Sequence, residues 1–340
     1  MLIKEVFVCE APYNIYIPLL KAVYNYRNNI KTIIILTDDV CDNKKLAEKV
    51  SLLKFIDKVI YIEYKKEFRN TKSKFIKKLS LLFYKKKLLT VFDEKYNFYL
   101  KHYEILKNSR VNLFWGYHPL SRYLMIKHNN LKFIEEGNGV YYVNRKHRLL
   151  KSIVRKIIGL PDINGTDKNV KEVEVSYPDK LIKELQKKAV VLNIERLEAN
   201  LTTEEKHEIL SLYFNDEYKF EKYYLHQNNL AIIITQPFSE DGDLTEDAKI
   251  KIYKNVIEKL SLGHYKVLIK AHPREKTNYA KIFNNKNVII LPKEFPLELI
   301  NLLDNKIKLG ITVSSTALKN LNCIEKKIFL KNFLEEINYV

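Results

Sequence analysis

Several residue types that mark specialised protein classes are scarce in this chain of 340 residues. It has 3 cysteines, 8 glycines, 9 prolines, 2 methionines and 1 tryptophan. So little glycine and proline excludes collagen-like and low-complexity architectures. Cys9, Cys41 and Cys323 lie far apart and form no CxxC pair, which argues against a disulfide framework and for a reducing compartment. Runs of about 18 apolar residues are absent too, so the sequence predicts no membrane span.

The motifs of several common enzyme classes are also missing. The chain has no GxxxxGK[ST] loop, and no GxGxxG follows its first predicted strand. Nucleoside triphosphate hydrolysis and NAD binding therefore lack local support. HExxH, histidine–cysteine clusters and GxSxG are absent as well, which disfavours zinc hydrolysis and α/β-hydrolase chemistry.

What is present is the composition of a folded, basic protein. The chain is 46% hydrophobic and 12% aromatic, and 59 Lys+Arg against 41 Asp+Glu give a net charge of +18. Its length is comfortable for two domains. The apolar N-terminal segment contains Lys4, Glu5 and Glu10 and is followed by no A-x-A-like cleavage site. It predicts a first buried strand over Ile3–Cys9 and not a signal peptide.

Short β-branched runs alternate with stretches of helical spacing, which is typical of βαβ units and parallel sheets. Predicted strands are Val6–Val8, Thr32–Leu36, Lys58–Ile62, Val111–Phe114, Phe133–Ile134, Ala231–Thr235, Lys266–Ile269, Val288–Leu291 and Lys308–Val313. Predicted helices include Ile17–Tyr26, Lys44–Leu53, Thr202–Tyr213 and Asp247–Leu260. The pattern is irregular from about 145 to 225. The sequence thus predicts two doubly wound domains facing a cleft, with ligands at the carboxyl ends of the strands.

Two adjacent carboxylates, Glu135 and Glu136, directly follow an apolar strand and precede Gly137. A carboxylate at the rim of a sheet can act as a general base if its surroundings raise its pKa towards the working pH. The same pattern also fits a solvated acidic turn or a helix cap.

A histidine flanked by cations follows another strand, in the order Lys270-Ala-His272-Pro273-Arg274. Imidazole donors beside cations suit a phosphate or a leaving group that gains negative charge. The alternative is a turn histidine fixed by proline. A second such dipeptide, His118-Pro119, shows that the pair alone is not specific.

Two further features follow later strands. Ser314, Ser315 and Thr316 end a strand and open a predicted helix, where hydroxyls and backbone N–H groups form an anion site or simply cap the helix. Glu298 follows Pro296 at another predicted helix start. Its carboxylate can accept ribose hydroxyls or compensate the helix dipole.

In order along the chain, these features resemble one enzyme family. The series of EEG after a strand, TQPFSEDG, KAHPRE, Glu298 and Ser-Ser-Thr resembles the bacterial lipooligosaccharide sialyltransferases of glycosyltransferase family 52. It is also similar to the bacterial polysialyltransferases. The resemblance runs from Ala11-Pro12-Tyr13 to Ser315, with little contribution from about 145–225. It implies an α/β fold of the GT-B type: two Rossmann-like domains with parallel sheets facing a central cleft. Residues 1–225 would form the acceptor side and 226–340 the nucleotide-sugar side.

The resemblance also implies roles for individual residues. Glu135 and Glu136 take the acidic position, whose first acid is a candidate base, while Asp241 or Glu240 competes for that role. His272 takes the position that contacts the CMP phosphate and assists its departure. Further nucleotide contacts implied are Gln236, Pro237, Pro273, Arg274, Glu298, Ser314, Ser315 and Thr316. Acceptor contacts implied are Tyr13, Asn14 and Gly137.

The reaction implied is an inverting transfer of sialic acid from CMP-sialic acid to a terminal sugar of a bacterial surface glycan, lipooligosaccharide or capsule. Because protein donors hold the phosphate, no metal or other cofactor is required. The implied location is the cytoplasm, with peripheral contact at the inner membrane, and a homodimer is compatible with the family. Two alternatives stay open: transfer from another sugar nucleotide, as in glucosyl transfer, and a non-catalytic glycan- or lipid-binding protein on the same scaffold.

The segment Tyr64–Leu89 is rich in lysine with interleaved apolar residues, and Arg145–Lys156 repeats the pattern. A basic amphipathic helix is typical of contact with anionic lipid. A solvated surface and nucleic-acid binding are the alternatives. Because no nucleic-acid-binding motif accompanies the charge, we expect no nucleic-acid partner.

Overall fold

A computed structural model describes residues 4–40, 42–68, 80–141, 155, 157–162, 165–213, 229–293, 295–303 and 306–330. Two compact units make up the chain, Met1–Thr202 and Thr203–Val340. The sequence predicts a boundary near residue 225, a position that lies outside the described residues. The ring of Tyr213 packs against that of Phe295, both in the second unit, with 5.5 Å between the centroids.

The first unit is built on a seven-stranded sheet in the order β3-β2-β1-β4-β5-β6-β7. Every neighbouring pair is parallel. The strands are β1 (Lys4–Cys9), β2 (Lys31–Thr37), β3 (Lys58–Ile62), β4 (Ser109–Leu113), β5 (Leu131–Ile134), β6 (Val170–Val175) and β7 (Ala189–Val191). In this order the chain reverses direction across the sheet between β1 and β4, which is where doubly wound sheets bind ligands.

Helices connect these strands. The α-helices are α1 (Tyr16–Arg27), α2 (Lys44–Val50), α3 (Lys65–Phe68), α4 (Ser80–Leu89), α5 (Phe98–Lys101), α6 (Tyr103–Leu106), α7 (Pro119–Lys127), α8 (Lys183–Gln186) and α9 (Ile194–Ala199). Short 3-10 helices span Pro12–Ile15, Asn138–Tyr141 and Pro178–Lys180, and Thr90–Lys95 is a π-helix. Of the predicted basic segment, α3 and α4 are described, and residues 69–79 lie outside the described residues. Apart from Arg155, so does Arg145–Lys156.

The second unit repeats the topology with five parallel strands in the order β10-β9-β8-β11-β12. They are β8 (Leu230–Ile234), β9 (Lys266–Lys270), β10 (Val288–Leu291), β11 (Ile307–Thr312) and β12 (Ile324–Phe329). The α-helices are α10 (Thr203–Ser211), α11 (Phe238–Asp241), α12 (Glu246–Leu262) and α13 (Tyr279–Ile282), with 3-10 helices at Leu297–Leu302 and Thr316–Asn320. Its reversal point lies between β8 and β11.

Burial explains why these segments form strands. The central strands β1, β2 and β8 are rich in valine, isoleucine and leucine and are buried on both faces, as parallel strands covered by helices must be. Each sheet has its own apolar core of valine, isoleucine, leucine and aromatic side chains. The α/β prediction of two parallel-sheet domains is therefore confirmed. In the described part of the chain, no helix is both long and apolar enough to cross a bilayer.

Candidate active site

The two predicted acids that follow β5 have different surroundings. Glu135 is tied into the sheet, because its Oε2 accepts hydrogen bonds from the Ser176 N–H at 2.5 Å and the Tyr141 hydroxyl at 2.8 Å. Burial and this hydrogen bond raise the pKa of Tyr141, so the phenol remains a donor. Glu135 thus links the ends of β5 and β6.

Glu136, in contrast, turns towards the end of β1. Its Oε1 lies 3.5 Å from the side-chain nitrogen of Asn14. Asn14 is buried, and its own Oδ1 accepts the Ala11 N–H at 2.9 Å, so the amide is oriented with its donor towards Glu136. Gly137 follows with φ +68°, a left-handed conformation that favours glycine and lets the chain turn directly after the acids. The predicted residues Glu136, Asn14 and Gly137 thus lie at one edge of the sheet.

A polar cluster that the sequence did not reveal lies at the same edge. Glu10, at the end of β1, is 1% exposed. It accepts hydrogen bonds from the Tyr64 hydroxyl at 2.6 Å, from the Leu120 N–H at 3.1 Å and from the Ser121 hydroxyl. The last two donors belong to the first turn of α7, so a protein carboxylate already caps this helix. Burial raises the pKa of Glu10.

His118, at the start of α7, completes this cluster. Its Nδ1 lies 2.5 Å from the Asp39 carboxylate. Burial lowers the pKa of His118, but the hydrogen bond with Asp39 and the charges of Glu10 and Glu136 outweigh it and raise the pKa to about 9. The ring is therefore an imidazolium at neutral pH. We call Glu10, Asp39, His118, Glu135 and Glu136 the acidic edge, because all five follow strands of this sheet and the charges of Glu10, Asp39 and Glu136 act on His118.

Backbone strain supports a functional reading of this edge. Trp115, just after β4, is buried and adopts φ +60°. Such a conformation is rare for a bulky residue and persists where the surroundings enforce it, often at functional sites. The indole is held against Phe133, 5.4 Å between ring centroids. The sequence does carry a signal here, since Trp115-Gly-Tyr-His118 follows a predicted strand. However, the His118-Pro119 dipeptide alone is too common to single out.

In the second unit, His272 follows β9 as predicted. Its Nδ1 accepts the Arg274 N–H at 3.2 Å, so the proton of the neutral ring is on Nε2. Burial, Arg274 and Lys270 lower the pKa of His272. At neutral pH the imidazole is therefore uncharged and has an Nε2–H to donate to a ligand.

The acids of the Thr235–Gly242 motif are bound to cations and backbone donors. Asp241 forms a two-point ion pair with Arg274, at 2.5 and 2.9 Å, and this hydrogen bonding lowers the pKa of Asp241. Glu240 accepts the Lys276 N–H at 2.5 Å and lies 3.1 Å from the Lys249 ammonium. Although burial opposes it, this hydrogen bonding lowers the pKa of Glu240 to about 2. Both carboxylates are thus weak bases in this geometry.

The hydroxyl residues lie at the reversal point of the second sheet. The Thr312 hydroxyl donates to the Ile234 carbonyl and accepts the Ser315 N–H, which joins the ends of β8 and β11. Ser314 is exposed and Ser315 half-buried. The sequence predicts a helix here, but Thr316–Asn320 is a five-residue 3-10 helix. Among the described contacts, the Ser315 side chain does not cap it.

The other residues predicted to contact the nucleotide or the acceptor lie close in the chain to the strands and helices just described. Gln236 donates its backbone N–H to the Tyr253 hydroxyl at 2.9 Å, and Pro237 precedes α11. Glu298 lies in the 3-10 helix Leu297–Leu302, where burial raises its pKa. Pro273 is exposed between His272 and Arg274. The side chains of Tyr13 and Thr316 lie outside the described residues. Within the described ranges, no three His, Cys, Asp or Glu side chains group as they would to hold a metal.

Comparisons with known proteins bear on the fold and the family of this chain. An uncharacterised protein of Haemophilus influenzae is 36% identical over 194 residues, which are 57% of this chain and about 60% of that protein's length. A 2,6-sialyltransferase of Vibrionaceae Photobacterium sp. JT-ISH-224, solved with CMP and lactose, has a TM-score of 0.55 at 14% identity, covering 96% of this chain and 71% of that one.

Two further structures have the same fold. The GT-B domain of the Photobacterium damselae sialyltransferase matches with a TM-score of 0.52 at 13% identity, over 96% of this chain and 91% of that one. UDP-GlcNAc 2-epimerase of Neisseria meningitidis matches with a TM-score of 0.51 at 12% identity, over 93% and 78%. At such identities these likenesses establish the GT-B type of fold alone. The alpha-2,8-polysialyltransferase family model, in contrast, matches residues 6–329, and this chain therefore belongs to that family.

Proposed function

We propose that this protein transfers sialic acid from CMP-sialic acid to a sugar hydroxyl, with inversion at C2. The observation that carries the proposal is the different chemistry of the two sheet edges. The first unit presents Glu10, Asp39 and Glu136 around the His118 imidazolium, with Glu135 beside Glu136 in the chain. The second presents a neutral histidine that carries its proton on Nε2, an arginine paired with Asp241, and two serines. Bases and phosphate-binding groups are thus separated between the two units.

The acidic edge of the first unit is a poor phosphate site, whereas the edge of the second unit that carries His272 is a good one. In doubly wound domains, phosphate groups bind at helix N-termini beside the reversal point. In the first unit the N–H groups of α7 already bind the Glu10 carboxylate, and a phosphate would meet its charge. At the second edge His272, Arg274 and the serines are donors. We therefore assign CMP to the second unit, with Glu298 as a ribose or cytidine contact.

Among the candidate bases, we assign Glu136 as the group that takes the proton of the acceptor hydroxyl. Glu135 is engaged by two donors on one oxygen, and Asp241 is paired with Arg274. Glu136 lies within 3.5 Å of the Asn14 amide and interacts with the exposed Tyr117, so it is the acid that we place beside the acceptor sugar. Tyr117, 54% exposed beside it, offers an apolar face on which an acceptor sugar can stack.

The reaction then balances as follows. The acceptor oxygen forms a bond to C2 of sialic acid, its proton passes to Glu136, and the bond between C2 and the phosphate oxygen breaks. CMP leaves with both electrons of that bond. His272 donates its Nε2–H to the departing phosphate, and Ser314 and Ser315 donate their hydroxyls. General base help is worth about 10²–10⁴-fold, and stabilisation of the leaving charge about 10²–10³-fold.

The acceptor is, in this proposal, a terminal sugar of a bacterial lipooligosaccharide or capsule glycan. Such an acceptor is attached to lipid, and the protein would meet it at the inner face of the membrane, in the cytoplasm. Support for membrane contact is the basic composition of Tyr64–Leu89. Co-sedimentation with liposomes tests it: we expect binding to anionic liposomes and none to neutral ones, and equal binding to both would contradict it.

A donor panel tests the activity. The protein is incubated with lactose and with sialyllactose, each with CMP-sialic acid, UDP-glucose or UDP-GlcNAc, and products are analysed by mass spectrometry and NMR. We expect CMP release and an α-linked sialoside from CMP-sialic acid only. Release of UDP instead, or binding of a donor without release from any, would refute the proposal.

A further inference from the structure

The turn that carries His272 is built around a buried carboxylate that the reaction does not use. Glu275 is 2% exposed. Its Oε1 accepts the His272 N–H at 2.8 Å and the Thr235 hydroxyl, and its Oε2 accepts the Tyr279 hydroxyl at 2.6 Å. Its own N–H donates to the His272 carbonyl at 3.0 Å. Side chain and backbone of Glu275 thus bind both polar backbone atoms of His272.

A buried lysine compensates the charge of this carboxylate. The ammonium of Lys249 on α12, with no exposed side-chain surface, lies 3.6 Å from Glu275 and also contacts Glu240 and Glu246 at 3.1 and 3.0 Å. Glu275 therefore joins the ends of β8 and β9 to α12 and α13. A carboxylate is costly to bury unless it is paired and hydrogen-bonded, and Glu275 has both an ion-pair partner and hydrogen-bond donors.

From these contacts we infer that Glu275 is a positioning residue: it fixes the turn 272–275 so that His272 presents its Nε2–H. This inference rests on the proposed role of His272. The link is geometric, because the Arg274 N–H that binds Nδ1 of His272 belongs to the same turn. If the turn opens, Nδ1 loses its donor and the ring is free to rotate and to change tautomer.

The charges around His272 predict how replacing Glu275 changes the pKa of His272. Burial lowers the pKa of His272 most, Arg274 and Lys270 lower it further, and Asp241 and Glu240 oppose them. Glu275→Gln leaves these four groups in the chain but replaces a charged acceptor of three donors by an amide that accepts fewer. The loosened turn exposes the ring to water, and the pKa of His272 is expected to rise towards its ordinary value.

The test compares Glu275→Gln with Glu246→Gln. Glu246 also contacts Lys249, but its other hydrogen bonds go to Ser239 and Thr277, outside the turn. In 15N-histidine-labelled protein, with the His272 signal assigned from a His272→Asn spectrum, we expect Glu275→Gln to shift the Nδ1 resonance and raise the His272 titration midpoint. Its kcat should fall by up to about 10²-fold, the cost of misplacing a catalytic group. Glu246→Gln should leave the Nδ1 resonance, the titration midpoint of His272 and kcat unchanged.

The outcomes separate this inference from the proposed function. An unchanged His272 spectrum and titration in Glu275→Gln would overturn the positioning role, even if the enzyme transfers sialic acid. A changed spectrum would uphold it, even if CMP-sialic acid is not the donor. If Glu275→Gln does not fold, Tyr279→Phe removes only the hydrogen bond to Oε2. We then expect a smaller shift of the His272 signals in the same direction, and no shift would overturn the inference.

Discussion

The paired acids after β5 allow a sharp test, because neighbouring carboxylates are expected to do different work. Glu136→Gln removes the proposed base and leaves an amide of the same size beside Asn14. General base catalysis contributes about 10²–10⁴-fold, so we expect kcat to fall by that factor with little change in the denaturation midpoint. Glu135→Gln weakens the hydrogen bonds from Ser176 and Tyr141. Charged acceptors bind roughly twice as strongly as neutral ones, so the cost is about 1–3 kcal/mol of stability.

The assay is CMP release at saturating CMP-sialic acid and acceptor, measured with urea denaturation of the same preparations. Glu135→Gln should keep most of its turnover at low temperature, where the weakened sheet edge is still folded. The pattern that refutes the reasoning is the reverse one: a stable Glu135→Gln that has lost turnover and an active Glu136→Gln. That result would make Glu135 the base and Glu136 an acidic turn residue.

Four further expectations follow from the same contacts. His272→Asn should lower kcat by about 10²-fold, measured as CMP release; unchanged turnover would make His272 a turn residue only. Asp241→Asn should keep most of its activity, because Asp241 pairs with Arg274; a loss as large as that of Glu136→Gln would make Asp241 the base. EDTA should leave turnover unchanged, since protein donors bind the phosphate; loss restored by Mg²⁺ would contradict this. The pKa of His118 is raised to about 9, so its protonation adds up to about 3 kcal/mol to the free energy of unfolding. This stabilisation is fully present below pH 6.5 and is lost as the pH rises through 9. The denaturation midpoint of His118→Gln should lack that decline, and an unaltered profile would exclude the pair with Asp39.

Most of the fold was accessible from the sequence, because central parallel strands are continuous apolar runs. Lys58–Ile62 and Val288–Leu291 match β3 and β10. The strand β6 was missed, since Val170-Lys-Glu-Val-Glu-Val175 alternates charged and apolar residues, unlike a central parallel strand. Its glutamates are accommodated by ion pairs, such as Glu174 with Lys132 at 3.2 Å, and Lys171 donates to the Lys168 carbonyl. Pairing of this kind depends on tertiary contacts that a single strand does not reveal.

The candidate site was predictable where residues follow a strand directly. Glu136 and His272 belong to this class. Glu10, Asp39 and His118 were not found, because they follow three different strands and only the strand order of the sheet brings them together. Glu275 was visible in KAHPRE, but its role depends on donors from Tyr279, four residues later, and from Thr235, 40 residues earlier in the chain. The tautomer of His272 likewise depends on one backbone N–H of a turn.

The most direct test of the central claim, that the nucleotide binds the second unit and the base lies in the first, is the affinity for CMP measured by titration calorimetry. The comparison is between the unaltered protein, Glu136→Gln and Ser314→Ala/Ser315→Ala. The account predicts that Glu136→Gln binds CMP as the unaltered protein does, while the double serine variant binds it at least about tenfold more weakly, a loss of about 1.4 kcal/mol. Weakened CMP binding by Glu136→Gln together with unchanged binding by the serine variant would contradict it.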